Sequence, residues 1–146
     1  MLICQEKTED LWDNRWYLSG WSDKQTKERA MFFFDAYMDV TRQLNNGLNY
    51  TTRQIVRTNL YKHILTLNKR GRSAIRKFRW MQNLFYDIKK NGILKPILII
   101  NYGNERKLHT GNHRLVCAMT LGIEIMSVCL INPEEYGNIN RRIYSG

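Results

Sequence analysis

Between residues 23 and 44 apolar side chains recur at Ala30, Phe33, Phe34, Tyr37 and Met38. That i, i+3, i+4, i+7, i+8 spacing predicts one face of an amphipathic helix. Ser22 and Gln25 make an S-x-x-Q capping box ahead of it, and Asn45-Asn46-Gly47 is a stop signal behind it. A second helix is expected from Thr51 or Thr52, with Val56, Leu60, Ile64 and Leu67 on its apolar face. Asn68 to Arg72 reads as a basic loop. Ser73 is then placed to cap a third helix whose stripe is Phe78, Met81, Leu84, Phe85 and Ile88, and Asn91-Gly92 stops it.

The period changes after Gly92. Residues 96–101 read as a strand that runs from Pro96 to the turn Tyr102-Gly103-Asn104, and Arg106 to His109 pair back as a hairpin. Thr110-Gly111-Asn112 leads into a short helix with Leu115, Ala118 and Met119 inward, closed by Gly122. Ile123 to Ile131 is a last strand, apolar enough to be buried on both faces. Beyond Pro133, the acid pair Glu134-Glu135 reads as a solvated turn and Asn140-Arg141-Arg142 as a loose basic tail. Residues 1–21, with Trp12, Trp16 and Trp21 at no clear period, read as an irregular arm packed on the body.

Composition agrees with a folded domain. The 146 residues are 43% hydrophobic and 25% charged, with 12% aromatic side chains to fill a core. No apolar run reaches the roughly 18 residues of a membrane span. The first residues lack the basic region and apolar core of a secretory leader. Cys4, Cys117 and Cys129 show no CxxC spacing, and Cys117 and Cys129 lie in apolar surroundings as core thiols. A reducing cytoplasm and no membrane partner are the expectation.

Charge is unevenly spread. Residues 1–50 hold 6 Lys/Arg and 8 Asp/Glu, whereas residues 51–146 hold 17 and 5. Within residues 51–80 there are nine basic side chains and no acid, among them Arg53, Arg57, Lys69, Arg70, Arg72, Arg76, Lys77 and Arg79. A solvated basic face accounts for such a stretch, and so does contact with a polyanion. The complete lack of acids favours the second, with nucleic acid the usual partner.

The segment that carries chemistry is Leu108-His109-Thr110-Gly111-Asn112-His113-Arg114-Leu115. A strand runs into a glycine turn that opens a helix, whose first turn leaves N–H groups unpaired and partly positive. A phosphate fits there. Gly111 permits close backbone approach. Asn112, His113 and Arg114 follow in the first turn. Arg114 can add a bidentate fork from an exposed position, and His113 a ring donor or proton carrier. The bland reading is an ordinary strand-to-helix turn. His109 and His113 straddle the glycine turn, share no helical face and have no evident third ligand, so no metal site is expected.

The order of these segments resembles the ParB/sulfiredoxin superfamily domain. That family has S-I-x-x-x-G-x-x-x-P-I-x-V, then G-x-(H/R)-R at a helix start, then A-x-x-L-G. Here Ile88, Gly92, Pro96, Ile97 and Ile99 stand in the first box, Gly111-Asn112-His113-Arg114 in the second, and Ala118, Leu121 and Gly122 in the third. The resemblance covers about residues 73–131. It implies a small α/β (α+β) sheet domain over 73–146, with residues 1–72 as an N-terminal helical extension in one compact unit. It also implies phosphate binding by Gly111, Asn112, His113 and Arg114. The ligand it implies is a nucleoside triphosphate, CTP or ATP, or nucleic acid, DNA foremost; a divalent metal is left open, and a dimer is compatible with it.

The departures narrow the function. Sulfiredoxins have Cys where Asn112 stands, so sulfinic-acid reduction is not expected. Kinase-like and many phage-type members have Asp where Thr110 stands, which weakens metal-assisted phosphoryl transfer. The helix-turn-helix and dimerisation domains of partition proteins do not follow in this chain. Three readings are therefore carried forward. Phosphate binding leads; a nuclease or phosphotransferase with His113 as proton carrier and Arg114 as charge stabiliser is second; a non-catalytic interaction module is third.

Overall fold

The structure, a computed structural model, describes residues 1–19, 24–68 and 70–144. The capping Ser22, Trp21 and Lys69 lie outside the described residues.

The first residues are not an irregular arm. Leu2–Lys7 form strand β1, followed by two short helices, α1 (Thr8–Asp13) and α2 (Arg15–Leu18). The expected long helix is present as α3 (Lys24–Asn45), with Phe33, Phe34, Tyr37, Met38, Val40 and Leu44 buried. The expected second helix is two. Thr51 caps a single turn, α4 (Thr52–Ile55), through a reciprocal box with Gln54. The chain turns, Thr58 Oγ1 accepts from the Tyr61 amide at 3.1 Å, and α5 (Asn59–Asn68) begins afresh. This break rotates the apolar face: Ile55, Leu60 and Ile64 are buried, while Val56 and Leu67 are exposed.

Helix α6 (Gly71–Asn91) starts two residues ahead of Ser73, with Arg70 as N-cap and no side-chain cap bond, so the expected basic loop is largely helix. Phe78, Met81, Phe85 and Ile88 form its buried stripe, and Leu84 is half-buried beside them. The hairpin β2 (Ile97–Asn101) and β3 (Arg106–Thr110) follows, then α7 (Asn112–Leu121), β4 (Ile125–Ile131) and α8 (Pro133–Tyr144). The last strand starts at Ile125 rather than Ile123. It alternates at first, with Ile125 and Ser127 exposed, and turns inward on both faces only toward Ile131. The expected solvated turn and loose tail are instead one helix, for which Asn132 serves as N-cap by accepting from the Glu135 amide at 2.7 Å.

The four strands form one mixed sheet in the order β1-β4-β2-β3, with β2 parallel to β4 and the other pairs antiparallel. Residues 1–72 thus supply an edge strand as well as helices. One hydrophobic cluster runs through α3, α5, α6, α7 and the sheet, so the two halves share a core. Polar pins cross it: Tyr37 Oη donates to the Met81 carbonyl at 2.7 Å, and the Thr41 and Thr120 hydroxyls meet at 2.6 Å. A smaller cluster of Ile100, Cys129 and Ile131 packs with Leu98 and Tyr136 on the α8 side. Cys117 and Cys129 are buried and unpaired, as the sequence suggests. No helix among the described residues is long and apolar enough to cross a membrane.

Candidate functional site

The glycine turn is where the fold comes closest to itself. Gly111 has φ +121°, a conformation that L side chains rarely adopt. A Cβ there would stand 2.4 Å from Ile97 Cγ2 and 2.7 Å from Ile97 Cβ. Glycine therefore lets the chain leave β3, graze the start of β2 and open α7 directly. The Leu115 amide takes the Gly111 carbonyl at 2.9 Å, and no side chain caps the helix start. The first-turn amides of Asn112, His113 and Arg114 thus have no side-chain cap.

In front of these amides is a cleft of about 600 Å³. Its other wall is α6, which brings Trp80, Leu84 and Asp87, and its rim carries Lys95 and His109. Trp80, Asp87 and Lys95 were not singled out in the sequence. The only signal for Trp80 in the sequence is its place three positions after Lys77 on an amphipathic helix; in the structure it is 49% exposed. Asp87 restores a carboxylate to the site that Thr110 lacks, although from another element; its Oδ1 accepts from Asn91 Nδ2 at 2.8 Å.

Arg114 is not the exposed fork expected. It is half-buried, and its Nη1 donates to the carbonyls of Lys95 and Pro96, both at 2.8 Å. The guanidinium ties the start of α7 to the chain leading into β2. A ligand then meets a guanidinium already held in place, with only part of its fork uncommitted. Arg114→Ala is accordingly expected to cost about 1–3 kcal/mol, because two carbonyls lose a charged donor. Arg114→Lys, which keeps a charge but not the planar geometry, should recover part of that. Urea unfolding of the three proteins checks it; equal stabilities would show the side chain to be free.

His113 sits deeper. Its ring meets Phe33 at 5.1 Å, Trp80 at 5.3 Å and Tyr37 at 5.7 Å, all edge-on. Burial, and then the charges of Lys77 and Arg114, lower its pKa from 6.5 to about 4. The ring is therefore neutral at pH 7, and its buried Nε2 has no hydrogen-bond partner. As a proton carrier it has no imidazolium to give at neutral pH. Asn112 and His113 also border a second cleft of about 420 Å³ toward Arg29, Phe33, His63 and Lys77. His109, on the rim of the first cleft, has its ring 4.8 Å from that of Tyr136. Among the described residues no group of three or more His, Cys, Asp or Glu is placed to hold a metal ion.

The basic residues of 51–80 are divided among elements. Arg53 lies on α4 and Arg57 in the turn after it, both exposed. Arg70 precedes α6, and Arg72, Arg76, Lys77 and Arg79 lie along it. Arg72 and Arg76 are exposed, while Arg79 Nη1 donates to Gln82 Oε1 at 3.1 Å and Lys77 Nζ lies 4.1 Å over the Trp80 ring. No family model, curated protein or solved structure matches this chain.

Proposed function

We propose that the cleft before α7 seats the phosphate groups of a nucleotide or nucleic acid, DNA foremost, on the plan of the ParB/sulfiredoxin domain. The observation that carries this reading is an uncapped helix start, brought up close by a glycine at φ +121°, opening into a cleft that Lys95 and Arg114 line together with Asp87. Lys77 and Arg114 both act on His113 electrostatically, so their charges converge on the first turn of α7. Unpaired amides, helix dipole and two cations act on an anion in the same direction. The exposed Arg72 and Arg76 extend the positive surface along α6. CTP and ATP are the mononucleotides to try first.

Asp87 supports a second reading, phosphoryl transfer or nuclease action in the same cleft, since it lines that cleft as a carboxylate able to serve as base or metal ligand. The neutral, caged His113 ranks that reading below binding. Release of inorganic phosphate or of cleaved DNA separates the two.

Asn112→Asp tests the phosphate seat. An acid in the first turn of α7 complements the helix dipole by about 0.3–1 kcal/mol, so the melting temperature should hold or rise. The same charge repels phosphate, and affinity for CTP, ATP or inorganic phosphate should fall at least about tenfold, close to 1.4 kcal/mol. Calorimetric titration of parent and variant at low salt decides it. A parent that binds none of the three, or a variant that binds as well as the parent, overturns the proposal.

A further inference from the structure

From the α6 wall of the cleft we infer that the nucleic acid this protein takes is single-stranded, and that Trp80 is the platform on which one of its bases stacks. The inference rests on the reading of the α7 helix start as a phosphate seat.

Three observations converge on Trp80. The indole lines the cleft that faces Gly111 and Arg114, and it is 49% exposed although α6 has a fully buried apolar stripe on offer. Its edge-on contact with the His113 ring, at 5.3 Å, seats it against the start of α7. It also continues a charged row. Arg72, Arg76 and Trp80 are successive i, i+4, i+8 positions, one helical face with a step of about 6 Å. Lys77 completes the set, with Nζ 4.1 Å above the indole.

Cations along a backbone track and an aromatic ring beside them is the arrangement by which single strands are held. A base inside a duplex keeps its faces against its neighbours, and stacking on Trp80 would require it to be flipped out at a cost in unpairing. An unpaired base pays no such cost. Lys77 adds a coupling. In the structure its ammonium occupies the indole as a cation–π partner. A base taking that place moves the ammonium off the ring and frees it for the phosphate of the same nucleotide. One exchange then satisfies the base and its phosphate together.

The test uses fluorescence anisotropy with labelled oligothymidylate, a duplex of equal length and thymidine monophosphate, at low salt, on the full chain. Trp80→Leu should weaken the single strand by about tenfold and leave the duplex within twofold. Trp80→Phe should restore most of the loss, and the salt slope should stay the same in all three proteins, since no phosphate contact is removed. Melting curves show whether the variants fold; Trp80→Gln, which suits a half-exposed position and also lacks an aromatic face, carries the same expectation as Trp80→Leu and replaces it should Trp80→Leu fail to fold. Equal loss on single strand and duplex, or no loss on either, overturns the stacking inference. If thymidine monophosphate still binds in that case and Asn112→Asp still weakens it, the phosphate seat survives alone. If the parent binds neither oligonucleotide nor mononucleotide, the seat and the platform fall together.

Discussion

Gly111→Ala is expected to lower the stability of this protein by about 2–6 kcal/mol. Two costs add. An L residue at φ +121° stores strain of order 1–3 kcal/mol. The new methyl would also stand 2.4 Å from Ile97 Cγ2 and 3.3 Å from the Ile97 Cα. Ile97 is fully buried as the first residue of β2 and paired with Val128 of β4, so it has nowhere to retreat. Overfilling of this kind costs roughly 1–3 kcal/mol. For a chain of this size the sum lowers the melting temperature by roughly 10 °C or more. Thermal melting and urea unfolding measure it. A variant that melts within two degrees of the parent would mean that residue 111 relaxes to negative φ, and the close approach of α7 to β2 would have to be given up.

The second large effect is an acid-side loss of stability set by His113. Its folded pKa is about 4 against 6.5 for a free ring, lowered first by burial and then by Lys77 and Arg114. Between those values the unfolded chain binds a proton that the native chain refuses. Stability is therefore full above pH 6.5 and falls as the pH drops toward 4. At 1.36 kcal/mol per pH unit the loss reaches about 3 kcal/mol. His63, lowered by burial and by Arg29, acts in the same direction. The carboxylates Glu105, held down by Lys107, and Glu135, held down by the N-terminal ammonium, lie below their ordinary 4.5 and lose their own contribution only at the acid edge of this window. His113→Phe keeps an aromatic ring among Phe33, Tyr37 and Trp80 and removes both the titration and the unpartnered Nε2. Urea unfolding from pH 7.5 to 4 should give a clearly flatter profile for the variant, with a residue due to His63. Parallel profiles would show that the ring is solvated in the folded state.

The helices with a regular apolar stripe were legible in the sequence. Those of α3 and α6 bury the residues that periodicity selects, and Gly122 closes α7 where expected, in a left-handed conformation at φ +69°. The misses share a cause. Strand β1 has only Leu2-Ile3-Cys4 before three polar residues, too little pattern to announce a strand; its place comes from backbone pairing with β4, some 120 residues away. The split of the second helix depends on one hydroxyl, Thr58, which recaps the chain where the apolar spacing alone runs on. The glycine box itself was visible, but not what surrounds it. Whether Arg114 is free or spent on the Lys95 and Pro96 carbonyls is decided by the chain before β2, and whether His113 is wet or caged is decided by α3 and α6. Spacing along one segment carries no information about such neighbours.

The pairing of β1 with β4 has a consequence for how the molecule comes into being. Leu2 is matched to Leu130 and Lys7 to Ile125, and β4 is also the parallel neighbour of β2. The strand that joins β1 to the β2–β3 hairpin is thus the last to be made among the described residues. On the ribosome, at about 5–20 residues per second, β1 and the β2–β3 hairpin emerge with no common neighbour and wait for it. The helices α3, α5 and α6 pack on one another first, and the sheet closes in a late, long-range step. A nascent chain exposed only up to residue 124 would show β1 unjoined to the β2–β3 hairpin, whereas one exposed beyond residue 131 would hold all four strands.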